Sequence, residues 1–290
     1  MSNEIKGHLT AFFTVFIWGI TFVSTKILLD SFSPAEILFI RFSLGFTALF
    51  IIFPKTAPIY NFKTELLFIL AGLFGICLYL LLENTALSYT LASNVGLLVS
   101  ISPFITALLA YLFLKDEKLK PLFFLGIFLA LCGVAMIIFN GSVVLKLNPA
   151  GDILALLAAA SWSFYSLFVK KISILNIHPV QSTRKIFLYG LIFTLPYLLW
   201  TGSNISIDKL LMPVNIFNLL FLGIGASALC FVTWSQAVKM IGTVKTSIYI
   251  YFIPVMTVIS SIIILHEKLT LYSFTGIILI ILGLIISGKK

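Results

Sequence analysis

The sequence predicts an all-α integral membrane protein, with ten transmembrane helices arranged as two inverted five-helix repeats. Three observations predict it. Hydrophobic residues fill 60% of the 290 positions and charged residues only 10%, with a mean hydropathy of +1.15. A soluble domain carries about 25% charged residues, and so few charges could not cover a soluble surface. The apolar residues also fall into continuous stretches, each near the ~20 residues that span the hydrocarbon as a helix. Finally, the chain repeats itself once, in register, along most of its length.

The stretches follow one another with short connections. Leu9–Leu29 comes first. It is longer than the ~7–15 residue apolar region of a cleavable leader, and no small-residue cleavage site follows it, so it is read as a span. The others are Ala35–Phe53, Glu65–Asn84, Ala92–Leu114, Leu122–Phe139, Ile153–Lys170, Pro179–Trp200, Val214–Gln236, Val244–Leu265 and Leu271–Ile286. Breakers mark the connections: Ser33-Pro34, Pro54 with Pro58, Asn148-Pro149, His178-Pro179 and Pro213. The stretches do not alternate apolar with polar residues, which argues against a membrane β-barrel. If the N-terminus is inside, twelve lysines fall in cytoplasmic segments, against Lys146, Lys209 and Lys268 outside. The positive-inside rule then sets both termini in the cytoplasm.

The duplication rests on matched residues. Glu83 to Leu119 is echoed by Trp234 to Leu269: Ala86 matches Ala237 and Pro103 matches Pro254 at a spacing of 151, and Glu117-Lys118-Leu119 matches Glu267-Lys268-Leu269 at 150. Gly126 and Gly133 match Gly276 and Gly283 at 150. Toward the front of each half, Trp18 and Lys26 match Trp162 and Lys170 at 144, and Pro34 and Gly45 match Pro179 and Gly190 at 145. The repeats are taken as residues 1–147 and 148–290. Five spans is an odd number, so the second repeat enters the membrane upside down. Inverted repeats are the architecture of many secondary transporters, whose site lies near the midplane between the halves.

With its Ala-Leu/Val element, mid-span proline and closing Glu-Lys-Leu in each half, the chain resembles the drug/metabolite transporter superfamily in its EamA-type ten-helix branch, from about Leu9 to Ile286. The resemblance implies a ten-helix fold in the cytoplasmic membrane of a prokaryote. It also implies a secondary transporter, usually an exporter of amino acids or related metabolites. Members carry different substrates, so fold alone does not name one. Glu83 departs from the aromatic or amide residue expected there.

Candidate site residues are polar or charged groups inside the apolar stretches, where a charge costs several kcal/mol and normally faces a cavity or a partner. Glu83 is expected either to bind a cationic group or carry a proton, or to be a span-end charge. Arg41 is expected either to hold a substrate carboxylate by a bidentate contact or to pair with Glu36 or Glu83. Trp18 and Trp162, at equivalent mid-span positions, suit two walls of a central cavity; Tyr79 and Trp234 would extend an aromatic lining, which fits a cation or an aromatic substrate. In a chain with 28 Phe they also read as ordinary packing. Asn94, Ser100, Ser102 and Thr106 on the fourth stretch and Thr246, Ser247, Tyr249 and Tyr251 on the ninth are expected either to line the pathway or to bond between helices. Pro103 and Pro254 each remove a helical hydrogen bond and should kink or hinge the two central spans. Arg184 and Lys185 are read as cytoplasmic charges, with Arg184 also a weak candidate for an inner gate, and Lys26 as a snorkelling one.

No phosphate-binding loop or catalytic constellation occurs, and no cofactor or metal site is expected. Cys77, Cys132 and Cys230 lie in apolar runs and read as packing residues rather than a disulfide set. The net charge of +9 sits at span ends, so no nucleic-acid partner is expected. The expected partners are a small-molecule substrate, the bilayer and protons, with a monomer or homodimer both open. Two alternatives stay open. One is uptake or antiport of a cationic amine with Glu83 as counter-ion. The other lies outside transport, as a lipid scramblase or a membrane enzyme.

Overall fold

A computed structural model of the chain describes residues 2–89, 92–114, 121–139, 148–203, 205–256, 259 and 270–287, and leaves aside the side chains of 22, 23, 26, 87, 88, 92–94 and 97. Glu117, Glu267, Lys268 and the Lys26 side chain lie outside that set. Among the described residues every regular element is helical.

The first repeat begins with α1 (Asn3–Leu29) and α2 (Pro34–Ile52). Ser33 starts α2 through a capping box: its hydroxyl accepts from the Glu36 amide at 3.3 Å, and Glu36 accepts from the Ser33 amide at 2.7 Å. The third span is α3 (Phe62–Gly72), a π-helical stretch over Leu73–Leu78, and α4 (Tyr79–Tyr89). The fourth is broken into α5 (Ala92–Val99) and α6 (Ser102–Phe113), with Pro103 in the first turn of α6, where its missing N–H costs nothing. The fifth is α7 (Pro121–Phe139).

The second repeat follows the same plan. It has α8 (Pro149–Ser173), α9 (Pro179–Thr201), a short α10 (Ile207–Leu211), then α11 (Pro213–Leu220), a second π-helical stretch over Phe221–Leu229, and α12 (Cys230–Ile241). The ninth span opens as α13 (Thr243–Ser247) and a 3₁₀ turn over Ile248–Phe252, with helix resuming at 253–256 around Pro254. The last described helix is α14 (Leu271–Ser287). Thus both expected proline hinges stand just after an irregular turn rather than inside a smoothly kinked helix. Five of the described segments are long and apolar enough to cross a membrane, and the shorter apolar helices α6 and α14 add to them. α1, with 27 residues, and α9, with 23, also reach the needed length.

The repeats interlock about a pseudo-two-fold axis. Residues matched by the duplication meet one another: Trp18 and Trp162 at 5.4 Å between rings, Phe42 and Phe187 at 4.8 Å. Other contacts are reciprocal, as a two-fold requires. Gly72 seats against Ile186 and Tyr189, while its counterpart Gly223 seats against Arg41 and Leu44. α7 and α14 cross at matched glycines: a Cβ on Gly133 would lie 2.5 Å from the Gly276 carbonyl oxygen, and one on Gly283 would lie 2.5 Å from the Gly126 carbonyl oxygen. The two π-helical stretches also occupy corresponding places in the two halves. The chain is therefore an all-α membrane protein of two inverted repeats.

Candidate functional site between the repeats

A cavity of about 180 Å³ lies between the repeats, to one side of the axis. Its lining on α1 falls at Trp18, Thr21, Thr25 and Leu29, one helical face running from mid-helix to the C-terminal end. α2 adds Pro34, Ile37, Leu38, Arg41 and Phe42, α4 adds Tyr79, Leu80, Glu83 and Asn84, and the broken fourth span adds Val99 and Ser102. The second repeat closes it with Trp162, Phe231, Ile250 and Ile253. The cavity thus runs from the central tryptophans toward the α1–α2 connection. On the other side of the axis the corresponding space is filled by Tyr165, Val169 and Trp234, each at most 1% exposed.

The floor is aromatic. Trp18 meets Trp162 edge-on at 5.4 Å and Phe231 at 5.7 Å, and Tyr79 stands 5.1 Å from Trp162. Trp18 is fixed by its indole N–H, which donates to the Ala226 carbonyl at 3.0 Å. A tryptophan so held presents its face at no further ordering cost.

Two charges line the chamber. The Tyr79 hydroxyl donates to Glu83 Oε1 at 3.2 Å, one helical turn away on α4. Arg41 Nε donates to Ser227 Oγ at 2.9 Å across the repeat interface. The expected pairing of Arg41 with Glu36 or Glu83 does not form: among the described residues the ion pairs within 4.0 Å are Lys185–Glu65 and Lys245–Glu4. Glu36 is turned to its own helix start instead.

Of the residues singled out in the sequence, Trp18, Arg41, Tyr79, Glu83 and Trp162 are brought together. Trp234 and Tyr249 are not on the wall. Trp234 is fully buried behind Trp18 and Trp162, at 5.2 and 5.8 Å between rings, because the apolar cluster on the closed side needs its bulk. Tyr249 bonds His8 Nδ1 at 3.0 Å near the start of α1. The Asn94 side chain lies outside the described residues. Sequence reasoning missed Thr21, Thr25 and Ser227. The threonines share a helical face with Trp18. Ser227 had a fainter signal: it stands where the first repeat has Ile76, just as Arg41 stands where the second has Ile186. Two polar replacements at positions that meet across the axis mark a pair.

The model of the EamA-like transporter family matches residues 5–139 and 149–288. The chain is 28% identical to the uncharacterized transporter YyaM of Bacillus subtilis, over 94% of this chain and 90% of that protein. It is 28% identical to a probable amino-acid metabolite efflux pump of Escherichia coli, over 97% and 94%. A crystal structure superposes with a TM-score of 0.83 over 97% of both chains at 17% identity, a likeness of fold. With both halves of the chain matched and the same fold recovered, the protein belongs to the EamA-like transporter family.

Proposed function

We propose that the protein is a secondary transporter that exports small polar metabolites, amino acids or related compounds, across the cytoplasmic membrane. Alternating access at the cavity between the repeats would carry the substrate, with protons as the coupling ion. The observation that carries this reading is the cavity itself: one guanidinium and one carboxylate share a mainly apolar chamber with an aromatic floor at the repeat interface. The volume of about 180 Å³ is below the ~300–1,000 Å³ of sites for drug-sized molecules, which favours a small occupant. The efflux pump among the relatives supports the direction and the substrate class. With both termini in the cytoplasm, the mouth near Leu29 and Pro34 faces outward.

A second reading is favoured by the rings that share the cavity with Glu83. Trp18, Trp162 and Tyr79, in one cavity with a carboxylate, would also suit a cationic amine, held by its charge and by the aromatic faces.

Both readings are tested on Glu83 in liposomes. Wild type is expected to show saturable flux stimulated by substrate on the opposite side, and a response to an imposed pH gradient. Glu83→Gln keeps the shape but removes the charge, and is expected to reduce gradient-driven flux at least tenfold in folded protein. Unchanged flux with unchanged pH dependence would reduce Glu83 to a structural group, and flux that never saturates would replace the carrier by a channel.

A further inference from the structure

The Arg41 guanidinium is an ionised group in an apolar bundle, and its partners among the described residues are neutral: the Ser227 hydroxyl and the Phe42 ring, 5.3 Å from its centre. Ser227 accepts from its Nε, and none of the described carboxylates comes within 4.0 Å of it. A cation so placed is costly unless an anion or ordered water meets it.

The arrangement is built. Ser227 is fully buried, in the wide turn of the second π-helical stretch. Gly45 lets α2 approach that turn: a Cβ there would lie 3.0 Å from the Gly223 carbonyl oxygen and 3.4 Å from Ser227 Cβ. The other repeat provides an internal control. Ile186 and Ile76 occupy the corresponding positions, and both are buried, at 2% and 0% exposure. An apolar pair therefore serves the helix contact well enough. The polar pair occurs on the side of the axis that holds the cavity, where packing does not require it.

A guanidinium carries five N–H donors in a rigid fork. With Nε held by Ser227, the two terminal nitrogens donate to no acceptor among the described residues, and Arg41 lines the cavity. That edge of the fork matches a carboxylate held bidentately. Glu83 lines the same cavity without pairing with Arg41, so the two present opposite charges to one occupant.

We propose that Arg41, oriented by Ser227, forms the subsite for the carboxylate of the transported molecule, which makes the preferred substrate a zwitterion with its ammonium toward Glu83. The assignment rests on the transport reading above. Ser227 acts as a positioning residue: it touches Arg41 and sets the direction of the fork.

The test is binding to purified protein, read by calorimetry, for the common amino acids other than Asp and Glu and the decarboxylated amine of each, with acetate and chloride as minimal anions. Wild type is compared with Ser227→Ala, Ser227→Thr and Arg41→Lys. Losing one charge-assisted hydrogen bond is worth about tenfold in affinity. Ser227→Ala and Arg41→Lys are therefore expected to weaken the best-bound amino acid about tenfold or more and its amine less than twofold. Ser227→Thr, which keeps the hydroxyl, is expected to retain most of the affinity. Equal losses for amino acid and amine would overturn the proposal, as would wild-type protein that binds the amine as tightly as the acid or binds no carboxylate at all. Occupation by chloride alone, with acetate and the amino acids excluded, would overturn it too. In liposomes, counterflow of amines without any carboxylate requirement would sink the subsite and leave transport standing. Carboxylate binding without counterflow would sink transport and leave the subsite standing.

Discussion

Gly133→Leu is expected to cost about 3 kcal/mol or more of stability and to leave little folded protein. The reason is where the new atoms would go. A Cβ at Gly133 lies 2.5 Å from the Gly276 carbonyl oxygen and 2.9 Å from the Ile280 amide nitrogen. Both are backbone atoms of α14, so no rotamer change can make room. The helices would have to part, and the reciprocal contact of Gly126 with Gly283 would open with them. Close approach of small residues is a main source of helix association in lipid, where no hydrophobic force acts between helices. Phe128→Leu, on the exposed face of α7, is expected to change stability by less than ~0.5 kcal/mol. Detergent-driven unfolding of both variants measures the difference. A Gly133→Leu protein within about 1 kcal/mol of wild type would mean that α7 and α14 do not depend on this crossing.

Those glycines show how much is legible in the sequence. Their spacing, repeated after 150 residues, by itself marks a close helix contact, and α7 and α14 make that contact at these glycines. The helix count and the inverted plan are legible for the same reason: span length and repeat register are properties of the chain alone. The cavity is legible only in part. Trp18, Tyr79, Glu83, Arg41 and Trp162 stand out because charge and indole are conspicuous in apolar sequence. Trp234 shows the limit, since the residue that matches Glu83 in the other half is the filling of the closed side. An inverted repeat makes two equivalent sets of positions. Which set lines the cavity and which is packed depends on how far the halves are tilted, and no local pattern records that. The π-helical stretches are hidden as well, because one extra residue per turn leaves an apolar run looking the same.

The largest electrostatic effect is expected at the other end of the bundle. Lys185 on α9 donates to Glu65 on α3 at 2.8 Å and to the Pro58 carbonyl at 2.9 Å, and lies over the rings of Phe68 and Tyr60. Glu65 also accepts from the Tyr189 hydroxyl and, at 3.2 Å, from the Tyr60 amide. The neighbouring Arg184 donates to the carbonyls of Phe53 and Lys55 at 2.6 and 2.7 Å, so this end of α9 holds the α2–α3 connection rather than merely meeting water. The pair is 10% and 13% exposed, so removing one partner strands a largely buried charge. Lys185→Ile is expected to cost about 3 kcal/mol, the lower end of the ~3–5 kcal/mol of a broken buried pair. The repeat then makes a sharper prediction. Ile40, Leu44 and Ile216 stand where Lys185, Tyr189 and Glu65 stand in the other half, and they line an apolar groove between α2 and α11. The corresponding helix pair thus carries charges in one half and only apolar residues at these positions in the other. Replacing Lys185 and Glu65 together by Ile, with Tyr189→Leu, copies the apolar version. It is expected to recover most of the stability lost by Lys185→Ile, because no charge is left stranded. Unfolding of the single, double and triple variants measures the coupling. If the combined variants lose as much as the sum of their parts, the two crossings are not interchangeable, and the ionic version is required for the fold.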